Sequence, residues 1–313
     1  MTLKRDHGGG VDAAIETWGG RRDEWLDLST GINPVPYPIG AISASAWNDL
    51  PDQRALSELE RAARSFWNVP QEAAVLAANG ASALIARMPE IAQDGAYIPG
   101  PTYNEHAAAF RQMGKTVSDN DGSLQTHIYV HPNNPDGRVV DAGVFQNRRL
   151  TIIDESFCDV TSALSLIEHS SKKGVLILKS FGKFWGLAGL RLGFVIGDPE
   201  LVASLRERLG PWSVSGPALE IGARALCDHE WAERTRERLA EDAARLDALM
   251  SANGATPLGG TTLFRLYDTE SAEGWRNHLA KGKVLSRIFP YSNRWVRLGL
   301  PHPDRWTQLE DAL

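Results

Sequence analysis

The stretch SFGKFWGLAGLR, residues 180–191, lies between two short apolar runs, GVLIL at 174–178 and LGFVI at 192–196. Runs that are apolar on both faces are typical of buried, mostly parallel strands, so this stretch is predicted to leave a sheet as a loop and to return to it. The loop holds a hydroxyl, an amine and a guanidinium, on Ser180, Lys183 and Arg191. A lysine in a loop is usually solvated, but a hydroxyl and a guanidinium flanking it are suited to hold a phosphate close to its amine. The combination favours an amine placed to form an imine over a solvated one.

Apolar runs rich in Val, Ile and Leu alternate with helix-like segments through the first part of the chain. Such runs are AAVLAA at 73–78, AYI at 96–98, THIYV at 126–130 and LTII at 150–153. One helix-like segment, PELVASLRERLG, opens with Pro199 behind Asp198 and stops at Gly210, as capped helices do. This order predicts a doubly wound α/β domain with a mostly parallel sheet.

The pattern changes near residue 217. A long charged helical tract then precedes three strand-like runs, TTLFRLY at 261–267, KVLSRIF at 283–289 and RWVRLGL at 294–300. This texture predicts a smaller α+β domain. We expect three segments along the chain: an N-terminal arm at 1–35 that joins the small domain or a dimer interface, a large domain at 36–215, and a small C-terminal domain at 216–313.

Composition limits the classes of function. With 313 residues, of which 42% are hydrophobic, the chain can build a sizeable core. The formal net charge of -6 and the pI near 5.8 argue against nucleic acid as the main partner. The two cysteines, Cys158 and Cys227, form neither a CxxC pair nor a zinc cluster, so we expect no disulfide and no metal. No apolar segment is long enough for a membrane span or a secretory signal, which predicts a soluble cytoplasmic protein.

Polar residues follow two of the predicted strands, and in an open α/β sheet chemistry collects where strands end and helices begin. In AANGAS the strand ends near Asn79 and a helix starts near Ala81. Free N–H groups at that helix start suit a phosphate, or the segment is a tight turn that needs Gly80. In HPNNPDGR, Asn133 and Asn134 either lie at the carboxyl edge of the sheet for a ligand or serve as turn residues.

Asp154 directly follows the apolar run in IIDESF. Its carboxylate is therefore expected near the boundary of the core, where it needs a cationic partner. The alternative is that Asp154 caps a helix.

The motifs occur in an order that resembles a known family. Lys183 within SFGKFWGLAGLRLG, together with NNPDG and DESF, resembles the fold-type I, pyridoxal-phosphate-dependent aminotransferase superfamily. The segments HGGG at 7–10, DLSTGINP at 27–34, PWSVS at 211–215 and WVRLGLP at 295–301 are most similar to the L-threonine-O-3-phosphate decarboxylases of cobalamin biosynthesis. Those enzymes are close relatives of histidinol-phosphate aminotransferases. The resemblance spans nearly the whole chain, and it implies an aspartate aminotransferase-like fold, pyridoxal 5'-phosphate as cofactor and a homodimer.

The resemblance also implies contacts with the cofactor. Lys183 joins its aldehyde covalently and later moves protons at the substrate carbon. Asp154 pairs with the pyridinium nitrogen, Asn134 donates to the phenolic oxygen, and Tyr103 stacks on the ring or is simply a core aromatic. The groups that hold the cofactor phosphate are Ser180, Arg191 and the backbone N–H groups of Ala81 and Ser82.

Five further residues are implied as substrate contacts. Arg297 binds the substrate carboxylate, or else is a surface charge. His7 and Arg287 hold a substrate phosphate, although His7 could equally belong to a loose terminus. Ser29 and Asn33 line the same pocket.

Two positions depart from the wider superfamily. Phe157 stands where many aminotransferases have a tyrosine that donates to the phenolic oxygen, and this favours decarboxylation. Leu50, in NDLPDQRAL, stands where relatives often have a tyrosine that reaches the cofactor phosphate of the neighbouring subunit. That cross-subunit contact is therefore in doubt.

We predict decarboxylation of L-threonine O-3-phosphate to (R)-1-aminopropan-2-yl phosphate. The same motifs leave three alternatives: an aminotransferase for histidinol phosphate or a similar phosphorylated amine, a phosphoserine decarboxylase, and a catalytically silent ligand-binding relative. The intact Lys183 argues against the last. Fold and cofactor alone do not identify the substrate.

Overall fold

The computed structural model describes residues 7–120, 122–145 and 148–313, so residues 1–6 of the predicted arm lie outside it. The described chain divides into two compact units. The larger unit comprises 36–134 and 138–234, and the smaller unit comprises the chain up to Val35, 135–137 and 235–313. None of the helices in these ranges is long and apolar enough to cross a membrane.

Helices and strands alternate through most of the described chain. The helices are α1 (Val11–Trp18), α2 (Ala44–Asn48), α3 (Gln53–Phe66), α4 (Ala81–Ile91), α5 (Asn104–Gln112), α6 (Pro199–Leu209), α7 (Gly216–Cys227), α8 (His229–Ala252), α9 (Ala272–Lys281) and α10 (Trp306–Ala312). The strands are β1 (Leu26–Asp27), β2 (Ala74–Ala78), β3 (Ala96–Tyr97), β4 (Val117–Ser118), β5 (Thr126–Val130), β6 (Leu150–Asp154), β7 (Val175–Ser180), β8 (Gly193–Gly197), β9 (Thr256–Thr261), β10 (Phe264–Asp268), β11 (Val284–Leu285), β12 (Arg287–Phe289) and β13 (Ser292–Gly299).

The larger unit is built on a sheet with the strand order β2-β8-β7-β6-β5-β3-β4. The pairs from β7 to β4 are parallel, whereas β8 runs antiparallel to both of its neighbours. The strands β6, β7 and β8 are almost entirely buried. Leu84 and Met88 of α4 pack with Ile152 and Leu176 in one core. The prediction of a mostly parallel, doubly wound α/β fold is confirmed.

Local signals placed the ends of α6 correctly. Asp198 accepts a hydrogen bond from the backbone of Glu200, Pro199 occupies the first turn, and Gly210 follows the helix with φ 74°. A glycine takes this left-handed conformation without the strain that a side chain would bring. The helix can therefore stop at Gly210 and turn away.

The smaller unit has an antiparallel sheet of order β12-β13-β10-β9 and a parallel pair of β1 and β11. The run KVLSRIF, predicted as one strand, is two: β11 pairs with β1, and β12 pairs with β13. Ser286 lies between them, where the chain passes from one sheet to the other. Val11 of α1 packs with Trp25 and Leu285, which joins the N-terminal segment to this unit.

The last boundary between the two compact units lies at a different residue from the second predicted domain boundary. The first change follows Val35, as in the predicted division at 35/36, but the last falls between Arg234 and Thr235 rather than at 215/216. The difference arises because α7 packs along α3. Close contact is possible because Gly222 has no side chain, and a Cβ there would lie 2.9 Å from Leu59. The three-segment domain assignment itself stays a prediction.

Candidate active site

A cavity opens in the larger unit where β5, β6 and β7 end and α4 begins. The carboxyl ends of parallel strands meet at one edge of a sheet, and polar groups that follow each strand converge there. The eight residues predicted as cofactor contacts all line this cavity: Ala81, Ser82, Tyr103, Asn134, Asp154, Ser180, Lys183 and Arg191. Their individual roles stay predictions.

Asp154, the last residue of β6, is 1% exposed and is held by two neighbours. Its Oδ2 lies 2.8 Å from Nε2 of His106, and its Oδ1 accepts from the backbone N–H and the hydroxyl of Ser156. Burial alone would raise the pKa of this carboxyl, but the bonds from His106 and Ser156 outweigh it and hold the pKa below its usual value. The cavity therefore contains a fixed negative charge, and Asp154 does not cap a helix.

His106 is the functional candidate that the sequence reasoning missed. It lies on α5 three residues after Tyr103, and residues at this spacing share one helix face. Their ring centroids are 6.1 Å apart in an edge-to-face arrangement. Once Tyr103 was placed at the cavity, helical spacing could have pointed to His106.

The start of α4 suits an anion. Helix α4 begins after Gly80, which has φ 81° and provides no side-chain cap, and the first two residues of the helix, Ala81 and Ser82, line the cavity. A Cβ at Gly193 would lie 2.3 Å from the nitrogen of Ala81, and a Cβ at Gly80 would lie 2.6 Å from Nη2 of Arg191. Both glycines are required for the guanidinium, the strand and the helix start to come this close.

Lys183 lies on the loop between β7 and β8, with its Nζ 5.3 Å from the ring centroid of Phe157. The aromatic residues of the loop anchor it. Trp185 is fully buried and stacks on Phe181, at 5.1 Å, and on Trp231, at 5.3 Å. The unusual composition of residues 180–191 thus has two causes. The aromatic side chains of this stretch pack inward, and its polar side chains line the cavity.

The two asparagines of NNPDG differ in position. Asn133 is buried, accepts from the hydroxyl of Thr102 at 2.6 Å and donates to the carbonyl of Pro101 at 3.0 Å. Asn134 lines the cavity. Asn133 therefore fixes the loop that presents Asn134.

A buried ionic cluster involves residues that are sequence neighbours of the cavity residues Asp154 and Ser180. Lys179, which precedes Ser180, has its Nζ 2.6 Å from Glu155 and 3.4 Å from Asp159. Burial opposes the charge on Lys179, but the two carboxylates outweigh it and raise the pKa of the ammonium. Glu155 also lies near His131 and Cys158, a combination that could ligate a metal, but its Oε2 is already paired with the ammonium. The cluster therefore ties the end of β6 to the end of β7.

The five predicted substrate contacts lie in the smaller unit. Arg287 on β12 and Arg297 on β13 are direct cross-strand partners, so their side chains share one face of the sheet. Arg287 donates to the carbonyl of His7 at 2.6 Å, and Arg297 donates to the carbonyl of Ser29 at 2.6 Å. His7 thus contacts Arg287 through its backbone. Asn33 accepts at Oδ1 from Arg238 at 2.6 Å.

A family model described as aminotransferase class I and II matches residues 24–120 and 128–307. The chain belongs to this family. The family predicted from the motifs is thereby confirmed. The matched ranges contain the predicted cofactor contacts and four of the substrate contacts, whereas His7 precedes them.

Individual relatives are similar over nearly the whole chain. A threonine-phosphate decarboxylase of Sinorhizobium sp is 37% identical over 325 residues, which cover 98% of this chain and 97% of the relative. The threonine-phosphate decarboxylase of Pseudomonas aeruginosa is also 37% identical, over 98% of this chain and 97% of its own. The crystal structure of a histidinol-phosphate aminotransferase from Sinorhizobium meliloti in complex with pyridoxal-5'-phosphate has a TM-score of 0.85 at 15% identity, and covers 100% of this chain and 94% of that one. The last likeness bears on the fold.

Proposed function

We propose that this protein uses pyridoxal 5'-phosphate to decarboxylate L-threonine O-3-phosphate, giving (R)-1-aminopropan-2-yl phosphate for cobalamin biosynthesis. The observation that carries the proposal is the pair of full-length relatives named threonine-phosphate decarboxylase. The chemistry of the cavity and of the paired arginines supports the proposal independently.

The residues of the cavity fit the cofactor. A pyridine nitrogen is matched by the buried carboxylate of Asp154, and a phosphate is matched by Arg191 and the start of α4. Lys183 lines the same cavity with its amine. When bound, the cofactor accepts the electron pair that is released as the carboxylate leaves the substrate.

Two residues of the chain manage protons in this reaction. Asp154 has a lowered pKa, so it remains ionised at neutral pH and holds a proton on the pyridine nitrogen. Lys183 donates a proton from Nζ to the substrate α-carbon once carbon dioxide has left, as a general acid. The ring of Phe157, whose centroid lies 5.3 Å from Nζ, has no hydroxyl to hydrogen-bond the amine.

The paired arginines support a substrate with two anionic groups. Arg287 and Arg297 are direct cross-strand partners, so two cationic groups lie on one face of the sheet. In this proposal Arg297 binds the carboxylate, and Arg287, with His7, binds the phosphate. Holding the substrate at both ends would fix the orientation of the bonds at its α-carbon, and that orientation would decide which bond breaks.

Carbon dioxide release distinguishes the proposed reaction from its alternatives. The purified holoenzyme should release carbon dioxide from phosphothreonine without any 2-oxoacid, and it should act on phosphoserine more slowly. A requirement for 2-oxoglutarate without gas release would instead identify an aminotransferase for a phosphorylated amine such as histidinol phosphate. If the protein binds these compounds but turns over none of them, it is a catalytically silent ligand-binding relative.

The homodimer is also part of the proposal. Three large apolar side chains of the larger unit, Trp47, Leu50 and Trp212, are 60% or more exposed. Leu50 and Trp212 line two clefts that both include Pro51 and Asp52. Exposed apolar groups of this size around clefts are typical of a protein interface, and a second copy of the chain is the partner that the family resemblance implies.

Light scattering during size-exclusion chromatography tests the homodimer. The protein should elute with twice the mass of one chain at micromolar concentration, and Trp212→Glu should shift it toward the monomer because a charge there cannot be buried. Met113→Glu, at an exposed apolar residue elsewhere in the larger unit, is the matched control and should remain dimeric. A monomeric protein would contradict this part of the proposal.

A further inference from the structure

The turn at Asp27–Thr30 in the smaller unit is fixed by its own side chains. Oδ1 of Asp27 accepts the backbone N–H of Ser29 at 2.9 Å and its hydroxyl at 2.6 Å. The Ser29 hydroxyl oxygen also accepts the N–H of Gly9 at 2.7 Å. Ser29 is 2% exposed, and its hydroxyl hydrogen is committed to Asp27. These bonds set the direction of the Ser29 backbone rather than leaving the side chain for a ligand.

Two strands hold the same turn from outside. The N–H of Leu28 donates to the carbonyl of Leu285, the last residue of β11, at 2.9 Å, and the carbonyl of Leu28 accepts from Gly299, at the end of β13, at 2.7 Å. Contact with β13 is so close that a Cβ at Gly299 would lie 2.1 Å from the carbonyl oxygen of Thr30. The carbonyl of Ser29 is therefore at a fixed position relative to β13.

That carbonyl is a hydrogen-bond partner of Arg297, two residues before Gly299 on β13. Nη2 of Arg297 donates to it at 2.6 Å. The guanidinium also lies 5.2 Å from the ring centroid of Phe264 and 5.9 Å from that of Phe289. A guanidinium is a rigid planar fork, so one fixed N–H together with two ring contacts fixes the direction of its other N–H groups.

We propose that Asp27 and Ser29 are positioning residues that aim the Arg297 guanidinium at the substrate carboxylate. The inference rests on the proposed function, in which Arg297 binds that carboxylate. Asp27 fixes Ser29, Ser29 fixes Arg297, and neither of the first two has to touch the substrate. Breaking the bond between Asp27 and Ser29 is therefore expected to weaken the binding of the carboxylate alone.

The test compares two ligands that differ in the carboxylate. Phosphothreonine carries it, whereas the product 1-aminopropan-2-yl phosphate does not. In the holoenzyme, Ser29→Ala and Asp27→Ala should each raise the KM for phosphothreonine by about tenfold, the effect of one lost hydrogen bond in orienting a charged group. Asp27→Ala should leave the inhibition constant of the product within about twofold, because it keeps both the bond from Gly9 to the Ser29 hydroxyl and the phosphate contacts. Ser29→Ala also removes the bond from Gly9, two residues after His7, so its effect on the product is compared with that of Asp27→Ala. Asp27→Asn keeps the Oδ1 acceptor and should retain the KM of the unaltered enzyme.

Thr269→Ala is the matched control for lost stability. It also removes a buried hydroxyl in the smaller unit, one that donates to the carbonyl of Arg294 at 2.7 Å. We expect it to lower the thermal midpoint without changing either constant. Cofactor absorbance and thermal midpoint are recorded for every variant, so that an unfolded protein is recognised.

Three outcomes would overturn the inference, and a fourth would contradict part of the proposed function instead. If Asp27→Ala weakens both ligands equally, the turn is only structural. If Ser29→Ala acts on phosphothreonine but Asp27→Ala does not, Ser29 touches the substrate directly. If neither changes the KM while Arg297→Ala raises it, the turn does not orient Arg297. If Arg297→Ala weakens both ligands equally, the carboxylate role of Arg297 in the proposed function is wrong.

Discussion

Replacing Lys183 with alanine should lower carbon dioxide release by about 10⁴-fold, the upper end of what one positioned acid or base contributes. The loss combines the covalent attachment of the cofactor with the proton that Nζ donates to the α-carbon. Cofactor binding should weaken without vanishing, since Ser180, Arg191 and the start of α4 do not depend on the amine. The measurement is gas release together with the cofactor that remains bound after gel filtration.

Lys172→Ala is the matched control for Lys183→Ala. Its Nζ lies 5.1 Å from the ring centroid of Phe145, an arrangement like that of Lys183 over Phe157, but it lies outside the cavity. It should keep full activity. Undiminished turnover in Lys183→Ala would eliminate the assignment of the reactive amine.

Replacing Asp154 with asparagine should lower kcat by about 10²–10³-fold, the size of effect produced by removing one aligned charge from a site. Asparagine has nearly the same shape but cannot hold the proton on the pyridine nitrogen. The folded-state pKa of Asp154 is lowered, so its contribution to stability is present above the unfolded pKa and is lost as the pH falls through the folded value. Activity of the unaltered enzyme at neutral pH should therefore show no titration of Asp154.

Asp198→Asn is the control for the loss of a buried aspartate. Asp198 also follows a strand, and it accepts from the N–H groups of Gly174 and Glu200. We expect a lower thermal midpoint with the cofactor spectrum and kcat retained. If Asp154→Asn keeps the kcat of the unaltered enzyme, Asp154 does not pair with the cofactor ring.

Much of the candidate site could be predicted because parallel strands impose a rule. Asp154 and Ser180 end neighbouring strands, so their convergence required only the strand assignments. The partner of Asp154 could not be predicted in the same way, because His106 comes from a helix 48 residues earlier in the chain. Its approach depends on how α5 packs.

The smaller unit was harder to predict for a related reason. KVLSRIF has the composition of one strand, and nothing local reveals that its two halves pair with different partners on either side of Ser286. The use of the Ser29 hydroxyl was hidden as well, since its bonds to Asp27 and Gly9 form only in the folded chain. Sequence pattern identifies which groups are available, and tertiary packing decides what they bind.

The cofactor candidates and the substrate candidates fall in different compact units, and this separation has an evolutionary consequence. Under the proposed function, mutations in β12 or β13 would alter which anions are accepted while the residues around Lys183 stay unchanged. Substrate specificity could thus evolve by mutation of the smaller unit, without intermediates that have lost cofactor binding.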